Sequence, residues 1–228
     1  MNTKLIPPQP TVKRLSIYLR FLNSLNKDVK TISSQELAQR LAFNPAQVRK
    51  DLAYFGEFGK RGVGYSVKKL KEQIVKILGL HKTRNVGIVG IGRLGMALAC
   101  YSGFKKKNFK ICALFDVATK PLCPAIGEAS EITEISQLPK VVKEKEIDIL
   151  ILTVPVEAIK DIYDMVMSSG VKAVLNFAPF KLLSTENVHV NNVDLSTELE
   201  QLSYKLNLND GEDGDVAEEV YGIPSQLL

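Results

Sequence analysis

The sequence predicts an α/β chain in two parts, a small winged-helix domain followed by a doubly wound parallel sheet. Three observations predict it. Residues 85–116 run from an apolar stretch through a glycine-rich turn and a helical pattern to a second apolar stretch ending in an acid. Beyond them, strand-like and helix-like patterns alternate to about residue 206, which implies parallel strands with helices on both faces. Ahead of them, two short helical patterns joined by a tight turn lead into a glycine-rich hairpin.

The elements of the first part follow in order. Pro7, Pro8 and Pro10 make the first ten residues read as an arm. A helix comes next, with Val12, Leu15, Tyr18, Leu19, Leu22 and Leu25 on one side. Ser33 and Glu36 have capping-box spacing ahead of Leu37, Ala38 and Leu41. Asn44 is a good N-cap and Pro45 a good first residue for a second helix to about residue 55. Val48, Leu52 and Phe55 face inward there, leaving Gln47, Arg49, Lys50 and Tyr54 to point elsewhere. Four glycines among β-formers over residues 56–67 read as a hairpin with Lys60 and Arg61 at its tip, the wing of a winged helix. A helix over roughly residues 68–78 stops at Gly79, and residues 80–84 form a linker.

In the second part, strands are expected at 86–89, 111–115, 147–153, 173–177 and 188–193, and helices at 92–101, 138–144, 156–168 and 196–206. This divides the chain into a DNA-binding domain over 1–80, a cofactor domain over 85–208 and an acidic tail over 209–228. The tail has six acidic residues between Asp210 and Glu219, and its middle is expected to be mobile.

Charge separates the two parts. Residues 1–80 hold 15 Lys and Arg against 5 Asp and Glu, whereas residues 81–228 hold 15 against 20. Only the first part is suited to a polyanion. Cys100, Cys112 and Cys123 form no CxxC pair, which fits a reducing compartment, and Cys112 is expected to be a buried thiol. His81 and His189 are too few for a histidine-based metal site. No apolar run approaches the roughly 18 residues of a membrane span, and no signal-like segment leads the chain. A cytoplasmic protein without metal or membrane partner is expected.

Gly90-Ile91-Gly92-Arg93-Leu94-Gly95 carries the chemistry of the second part. Gly90 permits the turn out of the first strand, Gly92 lets the backbone approach a pyrophosphate, and Gly95 lets helix and strand pack closely. The helix start offers free N–H groups to phosphate. Asp116 stands 21 residues past Gly95, where a carboxylate can accept both ribose hydroxyls and repels a 2′-phosphate. No arginine follows it in Val117-Ala118-Thr119, so NAD(H) is favoured over NADP(H). The alternative is a Rossmann-like fold that binds nothing, or coenzyme A through the same helix end.

On the first part, Arg49 and Lys50 can reach base edges or phosphates and Gln47 can read adenine. Lys60 and Arg61 on a glycine-rich tip with Gly62 suit a narrow minor groove. Asn44 and Tyr54 flank that set on the same helix. A dehydrogenase would need a proton donor beside the nicotinamide, and nothing stands out. His189 reads as a strand side chain, and Tyr101, placed on the first cofactor-domain helix, reads as core or rim. Asn176-Phe177-Ala178-Pro179 either lines a pocket or makes a turn.

Taken together, the chain closely resembles the Rex family of bacterial redox-sensing transcriptional repressors, over about residues 11–206. The resemblance is carried by Gln47-Val48-Arg49-Lys50-Asp51-Leu52-Ala53-Tyr54-Phe55-Gly56, Gly59, Arg61-Gly62-Val63-Gly64-Tyr65, the glycine loop, Tyr101-Ser102-Gly103-Phe104, Phe115-Asp116, Leu152-Thr153-Val154-Pro155 and Asn176-Phe177-Ala178-Pro179. It implies a homodimer, with the last helix exchanged between subunits, on a palindromic, A·T-rich operator. NAD+ would be compatible with DNA binding and NADH would release it. By the same resemblance Thr153, Val154, Pro155 and Asn176 to Pro179 join the cofactor site, Tyr101 lies near the nicotinamide, and Arg20 pairs with Asp194 in one cofactor state. Leu195 after Asp194, and Val117-Ala118-Thr119-Lys120 after Asp116, depart from the family pattern, and the acidic tail has no assigned role. An NAD-dependent oxidoreductase would explain only the second part. A coenzyme A-binding regulator would explain the fold but not Asp116.

Overall fold

A computed structural model describes residues 7–56, 59–60, 63–118 and 131–210. The chain divides into two compact units, Met1–Thr83 and Arg84–Leu228.

The first unit opens with α1 (Gln9–Ser24), which starts earlier than the prolines suggest. Pro10 sits in its first turn, where a missing N–H costs nothing. The buried stripe of α1 is Thr11, Leu15, Tyr18, Leu19 and Leu22, whereas Val12 is 37% exposed and lies outside it. A short strand β1 (Thr31–Ile32) leads to α2 (Ser34–Leu41), whose capping box is complete. The Ser33 N–H donates to Glu36 Oε2 at 2.7 Å, and the Glu36 N–H donates to Ser33 Oγ at 3.0 Å. Helix α3 (Pro45–Ala53) begins at Asn44, whose Oδ1 accepts from the Ala46 N–H at 2.7 Å, and it ends two residues before the expected boundary. Strands β2 (Gly59–Lys60) and β3 (Gly64–Ser66) form the wing hairpin, and β1 pairs on the other side of β3 in an antiparallel sheet of order β1-β3-β2. Helix α4 (Val67–Ile77) closes a core built on Leu15, Tyr18, Leu22, Leu37, Val48, Leu52, Leu70 and Ile74.

The second unit is a six-stranded, all-parallel sheet among the described residues. Its strands are β4 (Arg84–Val89), β5 (Phe109–Asp116), β6 (Ile132–Glu134), β7 (Ile149–Leu152), β8 (Ala173–Asn176) and β9 (His189–Asn192). Their spatial order is β6-β5-β4-β7-β8-β9. Counted within the unit this is 3-2-1-4-5-6, the order of a dinucleotide-binding sheet, with its reversal between β4 and β7. Alternation along the strands divides the core. Val89, Phe115, Leu150 and Leu152 pack with α7 (Leu138–Glu144) and α8 (Val156–Ser168). Val86, Ile88, Leu114 and Ile151 pack with Met96 and Leu98 of α5 (Arg93–Ala99) and Phe104 of α6 (Ser102–Lys105). The sequence suggested one helix over 92–101; the chain instead breaks after Ala99 and restarts at Ser102. The last helix, α9 (Leu195–Asp210), is exposed along its apolar positions. The expected acidic tail beyond it lies outside the described residues.

Candidate functional site

The strand order of the second unit reverses between β4 and β7, the place where a sheet of this kind opens a crevice at its carboxyl edge. Gly90 leaves β4 at φ +89°, in the left-handed region, and a Cβ there would stand 2.7 Å from Val154 Cγ1 and 2.9 Å from Thr153 O. A Cβ on Gly95 would overlap Gly90 O, so α5 can lie this close to the strand end only with glycine at that point. The Thr153 hydroxyl lies 2.6 Å from Gly90 O and 3.1 Å from Val89 O, which ties the ends of the two strands together. Its polar atom is thereby used in holding the loop. Val154 is half-buried, and Pro155 is exposed at the N-cap of α8.

Helix α5 starts after Gly92 with no side-chain cap, and its first internal bond runs from Met96 N to Gly92 O. The first-turn N–H groups of Arg93, Leu94 and Gly95 therefore have no partner within the helix and suit an anionic oxygen. Gly92, Arg93 and Leu94 are exposed, so this end is open. Asp116 closes the opposite wall. Its Oδ2 accepts from the Ile91 N–H, and its Oδ1 accepts from Val117 N at 2.7 Å and Ala118 N at 3.3 Å. A carboxylate offers about four lone-pair sites, so these bonds leave room for one ribose hydroxyl rather than two unless the long Ala118 bond yields.

Tyr101 is the N-cap of α6; the residue is 58% exposed, and its ring stands edge-on to Phe104 at 5.1 Å between centroids. Asn176 is fully buried at the end of β8. Its Nδ2 donates to Phe180 O at 2.7 Å and Asn192 Oδ1 at 2.9 Å, and its Oδ1 accepts from Ala178 N at 3.0 Å. Asn192 in turn exchanges bonds with the Leu182 backbone. The Asn176 side chain is thereby spent on the turn that follows β8. Phe177 is half-buried against the cluster of Val86, Ile88, Leu114 and Ile151, and Pro179 is exposed.

In the first unit, the feature that sequence reasoning missed is the environment of Asp51. It is fully buried and accepts from Arg14 Nε at 2.6 Å, Arg14 Nη2 at 2.7 Å, Tyr18 Oη at 2.8 Å, Gln47 Nε2 at 2.9 Å and Thr11 Oγ1 at 3.1 Å. Burial alone would raise this carboxyl, but its donors, Arg14 foremost, outweigh that and hold it below the usual carboxylate range. Burial also pushes the Tyr18 phenol well above its ordinary value. The network ties α3 to α1, and it holds Gln47, which the sequence left free, partly against the core. A buried Asp one turn after Gln47 was the available signal, but its donors lie more than thirty residues away on α1.

Arg49 is exposed and donates to Ser34 Oγ at 3.2 Å, Lys50 is exposed, and Tyr54 is half-buried beside Phe55. Asn44 spends its Oδ1 on capping α3. Lys60 lies in β2, and Arg61 and Gly62 lie outside the described residues. Arg20 is exposed on α1, and Asp194, also exposed, caps α9 through Ser196 N at 2.9 Å. Cys112 is buried as expected, and burial pushes its thiol up. Among the described residues no cluster of His, Cys, Asp or Glu could hold a metal ion, and no helix is long and apolar enough to cross a membrane.

The comparisons with known proteins agree with both halves. Residues 6–53 match the family model described as "Putative DNA-binding protein N-terminus", and residues 81–180 match one described as "CoA binding domain". The chain is 47% identical over 204 residues to the "Redox-sensing transcriptional repressor Rex" of Desulforamulus reducens, covering 89% of this chain and 97% of that protein. It is 46% identical to the protein of the same name from Syntrophomonas wolfei, over 89% and 96% of the two. Among solved structures it is similar to RSP in complex with β-NAD+ and operator DNA, at TM-score 0.84 and 36% identity over 90% of this chain and 94% of that one. It is also similar to RSP in complex with β-NADH, at TM-score 0.79 and 35% identity over 90% and 96%. With a glycine-looped parallel sheet, a winged helix and relatives this close along nearly its whole length, the chain belongs to the Rex family of redox-sensing transcriptional repressors.

Proposed function

We propose that this chain is a repressor that reads the redox state of NAD: it binds operator DNA with NAD+ and releases it when NADH takes that place. One observation carries the reading. A winged helix and a dinucleotide crevice share a chain whose relatives are named redox-sensing transcriptional repressors. The similar RSP has been crystallised with NAD+ and operator DNA and with NADH. The chain is a regulator rather than an enzyme. Coenzyme A fits the description of the second family model, but its ribose bears a 3′-phosphate that would face the Asp116 carboxylate.

The N–H groups opened by Gly92 receive the pyrophosphate, and Asp116 takes an adenosine ribose hydroxyl. Leu94, Val154, Pro155 and Phe177 line the apolar side of the crevice. NAD+ and NADH differ by one hydride and one formal positive charge on the pyridine ring. Contacts to adenine and pyrophosphate are common to both forms and shift no equilibrium. Discrimination therefore belongs to the nicotinamide end, where the reading puts Tyr101. Swinging the molecule from almost wholly DNA-competent to almost wholly incompetent takes about 5 kcal/mol of differential binding.

The reading also makes the protein a cytoplasmic homodimer. Leu195, Leu199, Leu202 and Leu206 recur at spacings of four, three and four along α9 and are 56–67% exposed, a seam that asks for a partner helix. Exchange of α9 between subunits would cover it and bring Asp194 to the partner subunit, where the pairing with Arg20 would report cofactor state. The two winged helices then meet half-sites about 34–36 Å apart, with Arg49, Lys50 and Gln47 in the major groove and Lys60 and Arg61 in the minor groove. The test is DNA affinity against salt with NAD+ and then NADH. Steep salt dependence with loss of binding on NADH supports the reading; equal binding in both would overturn it.

A further inference from the structure

We propose that Gly103 is a positioning residue of the redox switch, because its bare backbone is the ledge on which the Tyr101 ring rests. This deepens the functional reading above and rests on it for the role of Tyr101. Tyr101 precedes α6, and its ring folds back over the helix, so that a Cβ on Gly103 would overlap the ring atoms Cε1 and Cζ and the phenol oxygen. Phe104 meets the same ring edge-on, with the planes 86° apart.

The backbone at this point has no need of glycine. Gly103 lies within α6 and is not among the glycines of positive φ, and alanine is the better helix former there. What glycine supplies is space. Tyr101 is 58% exposed, so its ring is held on one side by α6 and is free to leave on the other. That makes it a side chain with two places, on the ledge and off it. A cofactor form that binds with the ring on the ledge is favoured by glycine at 103. A form that needs the ring elsewhere must first displace it from Phe104. Gly103 thus sets the balance between the two forms without touching either.

The experiment compares Gly103→Ala, Tyr101→Ala and the double variant in the full chain. NADH affinity is read by fluorescence, NAD+ affinity by competition, and Tyr101 placement by fluorine NMR on fluorotyrosine-labelled protein, with the resonance assigned by Tyr101→Phe. Gly103→Ala should move the Tyr101 resonance and change the NADH/NAD+ affinity ratio by about threefold or more in either direction. Its thermal midpoint should hold or rise. In the Tyr101→Ala background the same substitution should leave the ratio alone. An unmoved resonance, an unchanged ratio in Gly103→Ala, or the same change without Tyr101 would each overturn the proposal. Gly103→Ser adds bulk by a different group and should repeat the result if the alanine variant folds poorly. A wild-type chain that binds DNA equally with both cofactor forms would fail the functional reading instead, and the resonance would still judge the ledge.

Discussion

Asp51 holds α3 and α1 together through a single carboxylate. Removing the charge from a buried, multiply donated pair strands its partners, so Asp51→Asn should destabilise the first unit by about 3 kcal/mol at neutral pH, read by denaturant unfolding. The sign with pH follows from the depressed carboxyl. Its stabilisation is complete above the unfolded value of about 3.9 and is lost as pH falls through the lower folded value. The gap between wild type and variant should therefore shrink in acid; a gap that stays constant down to pH of about 2 would deny the carboxylate its part. Asp116 belongs to the same scale. Asp116→Ala should weaken NAD+ and NADH alike, by about tenfold for a lost charged hydrogen bond, and should leave their ratio unmoved. A change confined to one form would place Asp116 at the nicotinamide end instead.

At the scale of the element, the sequence showed what is decided locally. Ser33 with Glu36 and Asn44 with Pro45 mark two helix starts because caps involve neighbours within one turn. Runs such as Ile149–Leu152 read as strands because a fully buried parallel strand is apolar throughout. What stayed hidden depends on distant partners. β1 is two residues and β6 three, too short for a period, and each exists through the strand beside it. The β5 register shift that sets an extra residue opposite Val86 and Gly87 has no sequence mark. The break after Ala99 moved Tyr101 from a helix face to a helix start, and the bonds of Asn176 to Asn192 and the following turn depend on residues too distant to read from its neighbours. The glycine loop was legible down to single positions, since Gly90 and Gly95 are each required by one close backbone approach. Helix α9 yields its own expectation. If its leucines form the proposed dimer seam, Leu199→Glu should leave the chain monomeric in sedimentation, because burying each such leucine contributes about 1.5–3 kcal/mol. An unchanged sedimentation coefficient would assign the seam another role.

At the scale of the whole molecule, the proposed function requires that a crevice at the sheet's reversal and a basic winged helix share one equilibrium. The charge division supports it, with the net positive part ahead of residue 81 and the net negative part after it. The first part carries the balance that suits a polyanion, and the cofactor part would act on it through linkage. The most direct measurement is operator occupancy as the NADH/NAD+ ratio is varied at constant total nucleotide. Occupancy should fall as the ratio rises, with the same curve at several saturating totals. Occupancy that ignores the ratio, or follows only the total, would contradict the claim.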